Sequence, residues 1–132
     1  MKDLSSLLGR IGLSLIFIVS GAGKLAAYAG TQQYMESAGV PGALLPLVIL
    51  TELGGGLLVF SGSFSRWAAL ALAGFSIVSA VIFHAHFADQ MQFVNFMKNI
   101  AMAGGFLLLA ANGPGAISVD AWRARRGNLQ TA

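Results

Sequence analysis

Residues 43–62 read ALLPLVILTELGGGLLVFSG, an apolar stretch whose one charged side chain is Glu52. About 20 apolar residues is the length at which an α-helix crosses the ~30 Å hydrocarbon core of a bilayer. A charged group at the centre of such a helix costs roughly 2.5–3.5 kcal/mol on insertion scales, so it normally faces the bundle interior and a partner. The stretch therefore predicts a membrane span that directs a carboxyl group at other spans.

Three further windows have the same length and apolar character, at roughly residues 7–27, 67–87 and 91–111. Together with 43–62 they occupy most of the 132 residues, of which 56% are hydrophobic and 10% charged. We therefore expect a single domain, residues 1–132, with no separate soluble domain. The runs are continuously apolar and joined by mostly short turns. The predicted fold is all-α, a polytopic membrane protein built as an antiparallel bundle of four transmembrane helices.

The basic residues predict the orientation of this bundle. Basic residues are absent from the connections at 28–42 and 88–90. They occur before or near the start of the first window, after the second and after the fourth: Lys2, Arg10, Arg66, Arg123, Arg125 and Arg126. Cytoplasmic connections carry the excess of Lys and Arg. We therefore expect a multi-pass protein of the bacterial inner (plasma) membrane with both termini in the cytoplasm.

Composition excludes several classes of function. The chain has no Cys, so it can form no disulfide, thiolate metal site, iron–sulfur cluster or Cys nucleophile. The formal net charge of +3 comes from bases scattered along hydrophobic segments, which do not form a stripe for nucleic-acid phosphates. The expected partner is the lipid bilayer, and no nucleic acid is expected.

Polar side chains inside the predicted spans form the candidate site for ligand binding or proton exchange. The predicted topology places them in the outer half of the bundle, from mid-membrane to the outer interface (Lys24, Glu52, His84, His86, Asn95, Lys98, Asn99). Because an unpaired carboxylate is costly in lipid, we expect Glu52 to point inward and to lie near Lys24, Lys98 or a His. No residue is assigned a catalytic role.

Each candidate also has a structural interpretation. Glu52 could belong to a buried ion pair that fixes the register of the bundle. Lys24 lies near a helix end, where extension of its side chain to the headgroups is favoured for the residue taken alone. For Lys98, deeper in its span beside Asn95 and Asn99, burial is favoured. Glycines in three of the windows, at 21–23, 54–56 and 104–105, predict close helix packing.

The two histidines are two residues apart on a predicted helix, so at most one can face the core. This spacing does not supply both axial ligands of a haem. It also does not bring His84, His86 and Glu52 together as three ligands, so no metal is predicted.

Four stretches of the chain resemble the DoxX family of small four-helix bacterial membrane proteins. They read RIGLSLIFIVSGAGK (10–24), TELGGGLLVFSG (51–62), FHAHF (83–87) and NFMKNIAMAGGFLLLAANGPG (95–115). Relatives in that family include membrane subunits of thiosulfate:quinone oxidoreductase and a mycobacterial member of a thiol-oxidative-stress membrane complex. The resemblance implies that the family's polar positions correspond to Lys24, Glu52, His84, Lys98 and Asn99.

Three functions are compatible with this pattern. The leading hypothesis is a membrane subunit or quinone-facing partner of a bacterial oxidoreductase, with a noncovalent quinone near the polar cluster and a soluble or membrane redox partner. The second is a scaffold or assembly protein in which the cluster only locks the helices together. The third is a small-solute or proton-linked transporter, which four helices could build only with difficulty unless the protein forms a homo-oligomer. The chain alone does not decide whether it is an enzyme.

Overall fold

The computed structural model describes residues 1–131, so residue 132 of the predicted domain lies outside the described residues. Within these residues six helices follow one another: α1 (Lys2–Ala26), α2 (Tyr28–Ser37), α3 (Gly42–Ser61), α4 (Ser65–Phe83), α5 (Gln90–Asn112) and α6 (Val119–Thr131). Within residues 1–131 the regular secondary structure is entirely helical. The predicted all-α fold is therefore confirmed.

Four of these helices, α1, α3, α4 and α5, are long and apolar enough to cross a membrane. Their bounds differ by a few residues from the predicted windows, and the fold is that of a polytopic helical membrane protein. The Asp89 carboxylate caps α5 by accepting hydrogen bonds from the N–H groups of Met91 and Gln92, at 2.9 and 3.4 Å. Gly113 and Gly115 have positive φ and end that helix, as the sequence Asn-Gly-Pro-Gly predicts.

Three parts of the chain differ from the sequence prediction. Residues 28–42, which join the first two predicted spans, contain α2, and the Arg-rich residues after the fourth span form α6. Neither helix has the long apolar run that identifies a span, so hydropathy does not reveal them. The third predicted span, 67–87, ends at Phe83 in the structure, and His84 and His86 lie in the connection to α5.

Helix α3 changes its winding along its length. It begins with a 3₁₀ turn at Gly42–Leu44, continues as α-helix, passes through a π-helical segment at Leu50–Gly54 and ends as α-helix. The wider π turn holds Glu52. Such turns inside α-helices are frequent at functional sites.

Small residues bring the helices together. A Cβ added to Gly21 would lie 2.9 Å from Leu53, and one added to Gly56 would lie 2.9 Å from Ile18, so α1 and α3 meet almost backbone to backbone. Gly105 of α5 accommodates the end of the Leu13 side chain, whose Cδ2 atom would lie 3.0 Å from an added Cβ. The predicted packing role is confirmed at these positions, whereas Gly23 and Gly104 have no atom within 4 Å of an added Cβ. The apolar core lies among α1, α3, α4 and α5 and is rich in alanine (Phe17, Val59, Ala68, Ala69, Leu72, Ala73, Ala103, Phe106, Leu109, Ala110).

The bundle has two distinct ends. We call the end that holds the N-terminus, the α3–α4 turn and the start of α6 the closed end. Its chain segments are tied by hydrogen bonds from the Ser6 hydroxyl to the Pro114 carbonyl and from the Ala116 N–H to Asp3, at 3.0 and 3.1 Å. We call the opposite end, which holds Lys24, Glu52 and the α4–α5 connection, the cavity end.

Candidate functional site

A buried ion pair lies at the cavity end. Lys24 Nζ is 3.0 Å from Glu52 Oε1 and 2.8 Å from Oε2, and it also donates to the Ser20 hydroxyl at 2.7 Å. The Glu52 side chain is 6% exposed and that of Lys24 is 26% exposed. The predicted inward direction of Glu52 and its pairing with Lys24 are therefore confirmed. The expectation that Lys24 extends to the headgroups was wrong, because a buried carboxylate one helix away holds its ammonium group.

The backbone fixes this pair from both sides. Lys24 lies one helical turn after Ser20, and Gly21 between them lets α1 approach Leu53 closely. Glu52 lies within the π segment, between Ile49 and Gly56, both of which face the bundle. Gly21 of α1 thus lies beside the part of α3 that carries Glu52. The two helices are therefore close enough for Lys24 and Glu52 to contact each other directly.

An apolar cavity of about 380 Å³ lies on one side of the ion pair. Residues of α2, α3 and α4 form most of its walls, and Lys24, Glu52 and His84 contribute polar groups. The other lining residues are Thr31, Tyr34, Met35, Val40, Leu44, Leu47, Val48, Thr51, Phe75, Val78, Ser79, Ile82 and Phe83. The rings of Tyr34 and Phe83 stack with centroids 5.4 Å apart and so attach α2 to α4. The helix that hydropathy missed is therefore a wall of this cavity.

A second cavity, of about 290 Å³, lies on the other side of the same pair. We call it the polar cavity, because most of its lining residues are polar or charged (Ser20, Lys24, Glu52, Ser79, His84, Asn95, Lys98, Asn99, with Ile16, Phe17, Phe75 and Met102). It separates α1 from α5, which contact one another at Leu13 and Gly105 nearer the closed end. Six of the seven predicted residues therefore surround one polar region, and His86 does not.

Two of the predicted residues, Lys98 and His86, differ from expectation, whereas His84 lies in the predicted polar region. Lys98 lines the polar cavity but is exposed, so the expectation of its burial was wrong; α5 leaves a cavity beside it instead of packing on α1. The half-buried His84 borders both cavities, and its Nδ1 lies 2.7 Å from the Gln92 Oε1 atom. His86 is exposed beyond the end of α4. Among residues 1–131, no three His, Asp or Glu side chains lie close enough to hold a metal ion.

Arg10 is the polar residue whose role the sequence did not reveal. It is 2% exposed. Its Nη1 atom donates to the carbonyls of Val59 and Phe60, at 3.1 and 2.8 Å, and its Nη2 atom donates to the carbonyl of Ile117. Its Nε atom is buried without a partner within the described part of the chain. The available signal was the helical stripe that Arg10 shares with Phe17 and Lys24, but its acceptors are backbone groups and have no signature in the sequence.

Asp120 completes the closed end. Its carboxylate accepts hydrogen bonds from the N–H groups of Phe64 and Ser65 and from the Ser65 hydroxyl, at 2.8, 2.9 and 2.9 Å. Burial raises the pKa of Asp120, but the hydrogen bonds from Ser65 and Phe64, together with the charge of Arg123, outweigh burial and hold this pKa below its ordinary value. This carboxylate therefore ties α6 to the start of α4.

Comparison with known proteins gives the family. The DoxX family model matches residues 5–85. The inner membrane protein YqjF of Escherichia coli (strain K12) is 52% identical over 91% of this chain and 92% of its own length. The inner membrane protein YphA of the same organism is 40% identical over 86% of each chain. "Putative oxidoreductase CatD" of Bacillus subtilis (strain 168) is 32% identical over 61% of this chain and 59% of its own length. No solved structure matches the chain significantly.

Proposed function

The chain belongs to the DoxX family of multi-pass inner-membrane proteins, and we propose that it binds a quinone as the membrane subunit or quinone-facing partner of a bacterial oxidoreductase. The observation that carries this proposal is the Lys24–Glu52 ion pair at the wall of an apolar cavity. A relative over about three fifths of the chain carries the name "Putative oxidoreductase CatD", which supports the same class of reaction.

The cavity matches the two parts of a quinone. Its walls are mostly aliphatic and aromatic, which suits an isoprenoid tail and a flat ring, and Phe83 and Tyr34 offer ring surfaces. Quinone carbonyl oxygens accept hydrogen bonds, and the Lys24 ammonium group is a charged donor at the polar end of the cavity. Binding there requires the ligand to share Lys24 with Glu52.

Reduction of a quinone needs protons as well as electrons. Glu52 and His84 border both cavities, so either can exchange a proton between the apolar cavity and the polar cavity. A separate redox partner delivers the electrons, because the sequence contains no Cys for an iron–sulfur cluster. The distribution of Lys and Arg predicts that both termini are in the cytoplasm, and the cavity end would then lie in the outer half of the membrane. Reporter fusions after residue 35 and at the C-terminus test this orientation, and an external C-terminal reporter would contradict it.

Ligand analysis tests the quinone proposal directly. The purified wild-type protein should carry a quinone detectable by mass spectrometry, and an added short-chain quinone should raise its melting temperature. Glu52→Gln should raise the quinone concentration that gives half of this stabilisation at least tenfold, since the amide cannot hold Lys24 as the carboxylate does. Without ligand, the melting temperature of this variant should stay within a few degrees of wild type. Glu36→Gln is the matched control, because Glu36 is an exposed acid of α2, and it should behave as wild type.

The opposite result supports the scaffold function. In that case no stoichiometric quinone co-purifies with any variant, added quinone leaves the melting temperature unchanged, and Glu52→Gln lowers stability alone. The direct contact of Lys24 with both oxygens of Glu52 would then be a lock between α1 and α3 and nothing more.

A further inference from the structure

We infer that the polar cavity is a binding site for an oxyanion, such as a phosphate or sulfate group, held by Lys98 with Asn95 and Asn99. This site lies across the ion pair from the apolar cavity and does not depend on quinone binding. The anion can be a free ion or the headgroup of an anionic lipid, since both present the same oxygen atoms.

Lys98 forms no ion pair within residues 1–131. The chain has five acidic residues, and each lies elsewhere or has another partner. Glu52 pairs with Lys24, Asp3 and Asp120 bind backbone groups at the closed end, Asp89 caps α5, and Glu36 is exposed on α2. Over residues 1–131, the Lys98 side chain forms no hydrogen bond or ion pair.

The charge in the cavity is therefore unbalanced. Two lysines and one carboxylate border it, and the carboxylate is already held by Lys24 through both oxygens. Lys98 lies eight residues after Gln90, about 12 Å along α5 at ~1.5 Å per residue. A cation at this depth in a span is costly unless it meets water or an anion. An anion in the cavity would supply the missing charge.

The donors near Lys98 share one face of α5. Asn95, Lys98 and Asn99 are spaced by three and four residues, which places them side by side on a helix. The Asn99 Nδ2 atom donates to the Asn95 carbonyl at 3.2 Å, and this bond uses one of its two N–H groups. The remaining amide N–H groups and the ammonium group can donate together to the oxygens of one anion.

The size and lining of the cavity agree with this ligand. A volume of about 290 Å³ accommodates a tetrahedral oxyanion with several waters, since one water occupies about 30 Å³ in the liquid. The apolar cavity on the other side of the pair lacks this set of donors, because Asn95, Lys98 and Asn99 do not line it. The ion pair thus separates an apolar ligand site from a charged one.

Anion-dependent thermal stability tests the site. Wild-type protein in a zwitterionic detergent should gain several degrees in melting temperature, saturably, from inorganic phosphate or from short-chain phosphatidylglycerol, relative to NaCl of equal ionic strength. Stabilisation by both ligands identifies the oxyanion itself as the ligand, whereas stabilisation by phosphatidylglycerol alone identifies the headgroup. Short-chain phosphatidylcholine, which has no net charge, should have little effect.

Three variants decide whether Lys98 is responsible. Lys98→Met should raise the half-saturating concentration at least tenfold, and without anion it should be at least as stable as wild type because an unpaired charge has been removed. Lys98→Arg should retain the response. Lys2→Met, at an exposed lysine of the closed end, is the matched control and should respond as wild type does.

Two results would overturn the inference. One is an equal response of Lys98→Met and wild type, and the other is the absence of any stabilisation beyond that given by NaCl. Should Lys98→Met not fold, Lys98→Gln provides the same comparison. The Glu52→Gln experiment measures stabilisation by quinone and not by anions. Either the anion site or the quinone site can therefore be refuted while the other stands.

Discussion

At the closed end, Arg10 donates to three backbone carbonyls and Asp120 accepts from two backbone N–H groups and a hydroxyl. At the cavity end, Lys24 and Glu52 pair directly, but a cavity lies on each side of them and Lys98 has no partner among the described residues. Both ends carry charge within or beside the spans. They differ in whether the chain itself provides the partners.

This difference separates stability from function. Polar groups whose main partners lie within the chain join four segments of the closed end. Polar groups that border a cavity contribute less to folding, and they remain available to a molecule from the membrane or the solution. The following variants test that division, from the largest expected effect to the smallest.

Replacing Arg10 by Met should have the largest effect. It removes a donor from three carbonyls; the Val59 carbonyl keeps the Gly62 N–H, whereas those of Phe60 and Ile117 lose their side-chain donor, and an acceptor left without a donor costs about 1–3 kcal/mol. We expect a loss of about 3–5 kcal/mol in the free energy of unfolding, measured by denaturant titration in detergent. Arg125→Met is the matched control at an exposed arginine and should stay within about 0.5 kcal/mol of wild type. Similar losses in both variants would contradict the structural role of Arg10.

Gly62→Ala should come next. Gly62 has φ +72°, and an added Cβ would lie 2.5 Å from Ser118 Cβ and 2.7 Å from Arg10 Nη1. We expect a loss of about 2–4 kcal/mol from the left-handed backbone and the overlap together. Gly39→Ala separates these causes, since Gly39 has φ +82° but no atom within 4 Å of an added Cβ. It should lose only about 1–2 kcal/mol, the backbone part, in the same unfolding measurement.

Replacing both members of the ion pair should cost little. Lys24→Met with Glu52→Leu substitutes apolar groups of similar size, and such replacements of buried pairs are often neutral or stabilising. We expect the free energy of unfolding to stay within about 1 kcal/mol of wild type, while quinone stabilisation is lost. Glu52→Leu alone should be less stable than the double variant, because it leaves Lys24 without its counter-ion. A double variant as unstable as Arg10→Met would remove the distinction between the two ends.

The smallest effect concerns pH. The pKa of Asp120 is held below its ordinary value in the folded protein, so this carboxylate contributes stability above about pH 4, the ordinary carboxyl pKa. That contribution is lost as pH falls through the folded-state pKa, because folding then has to accommodate a protonated carboxyl. Asp120→Asn should lower the melting temperature at neutral pH, and its difference from wild type should shrink as the solution is acidified. A difference that does not vary with pH would show that charge is not involved.

Much of the fold follows from the sequence. Span length and hydropathy locate all four membrane helices, because the bilayer requires a long apolar run of each. The cost of an unpaired carboxylate predicts the inward direction of Glu52, and the spacing of small residues predicts the contact that Gly21 and Gly56 allow. These signals are strong because each reflects one local physical requirement.

The rest depends on contacts between distant parts of the chain. The partners of Arg10 are carbonyl groups, which every residue possesses, so no pattern of side chains identifies them. The sequence does not predict helix α2, since its own composition is that of a loop. Its role as a wall of the apolar cavity depends on its packing against α3 and α4. The exposure of Lys98 depends on α1 and α5 diverging, a property of the whole bundle. Cavities are differences in packing, and hydropathy does not record them.

The contact between Arg10 and Ile117 also has a consequence for biosynthesis. The two residues are 107 positions apart. At synthesis rates of ~5–20 residues per second, Arg10 is made about 5–20 s before its last acceptor exists. During that interval α1 must insert with an incompletely paired guanidinium, so the position of Arg10 near the start of the helix, within reach of the headgroups, is favourable. The closed end can therefore be completed only after all four spans have been synthesised.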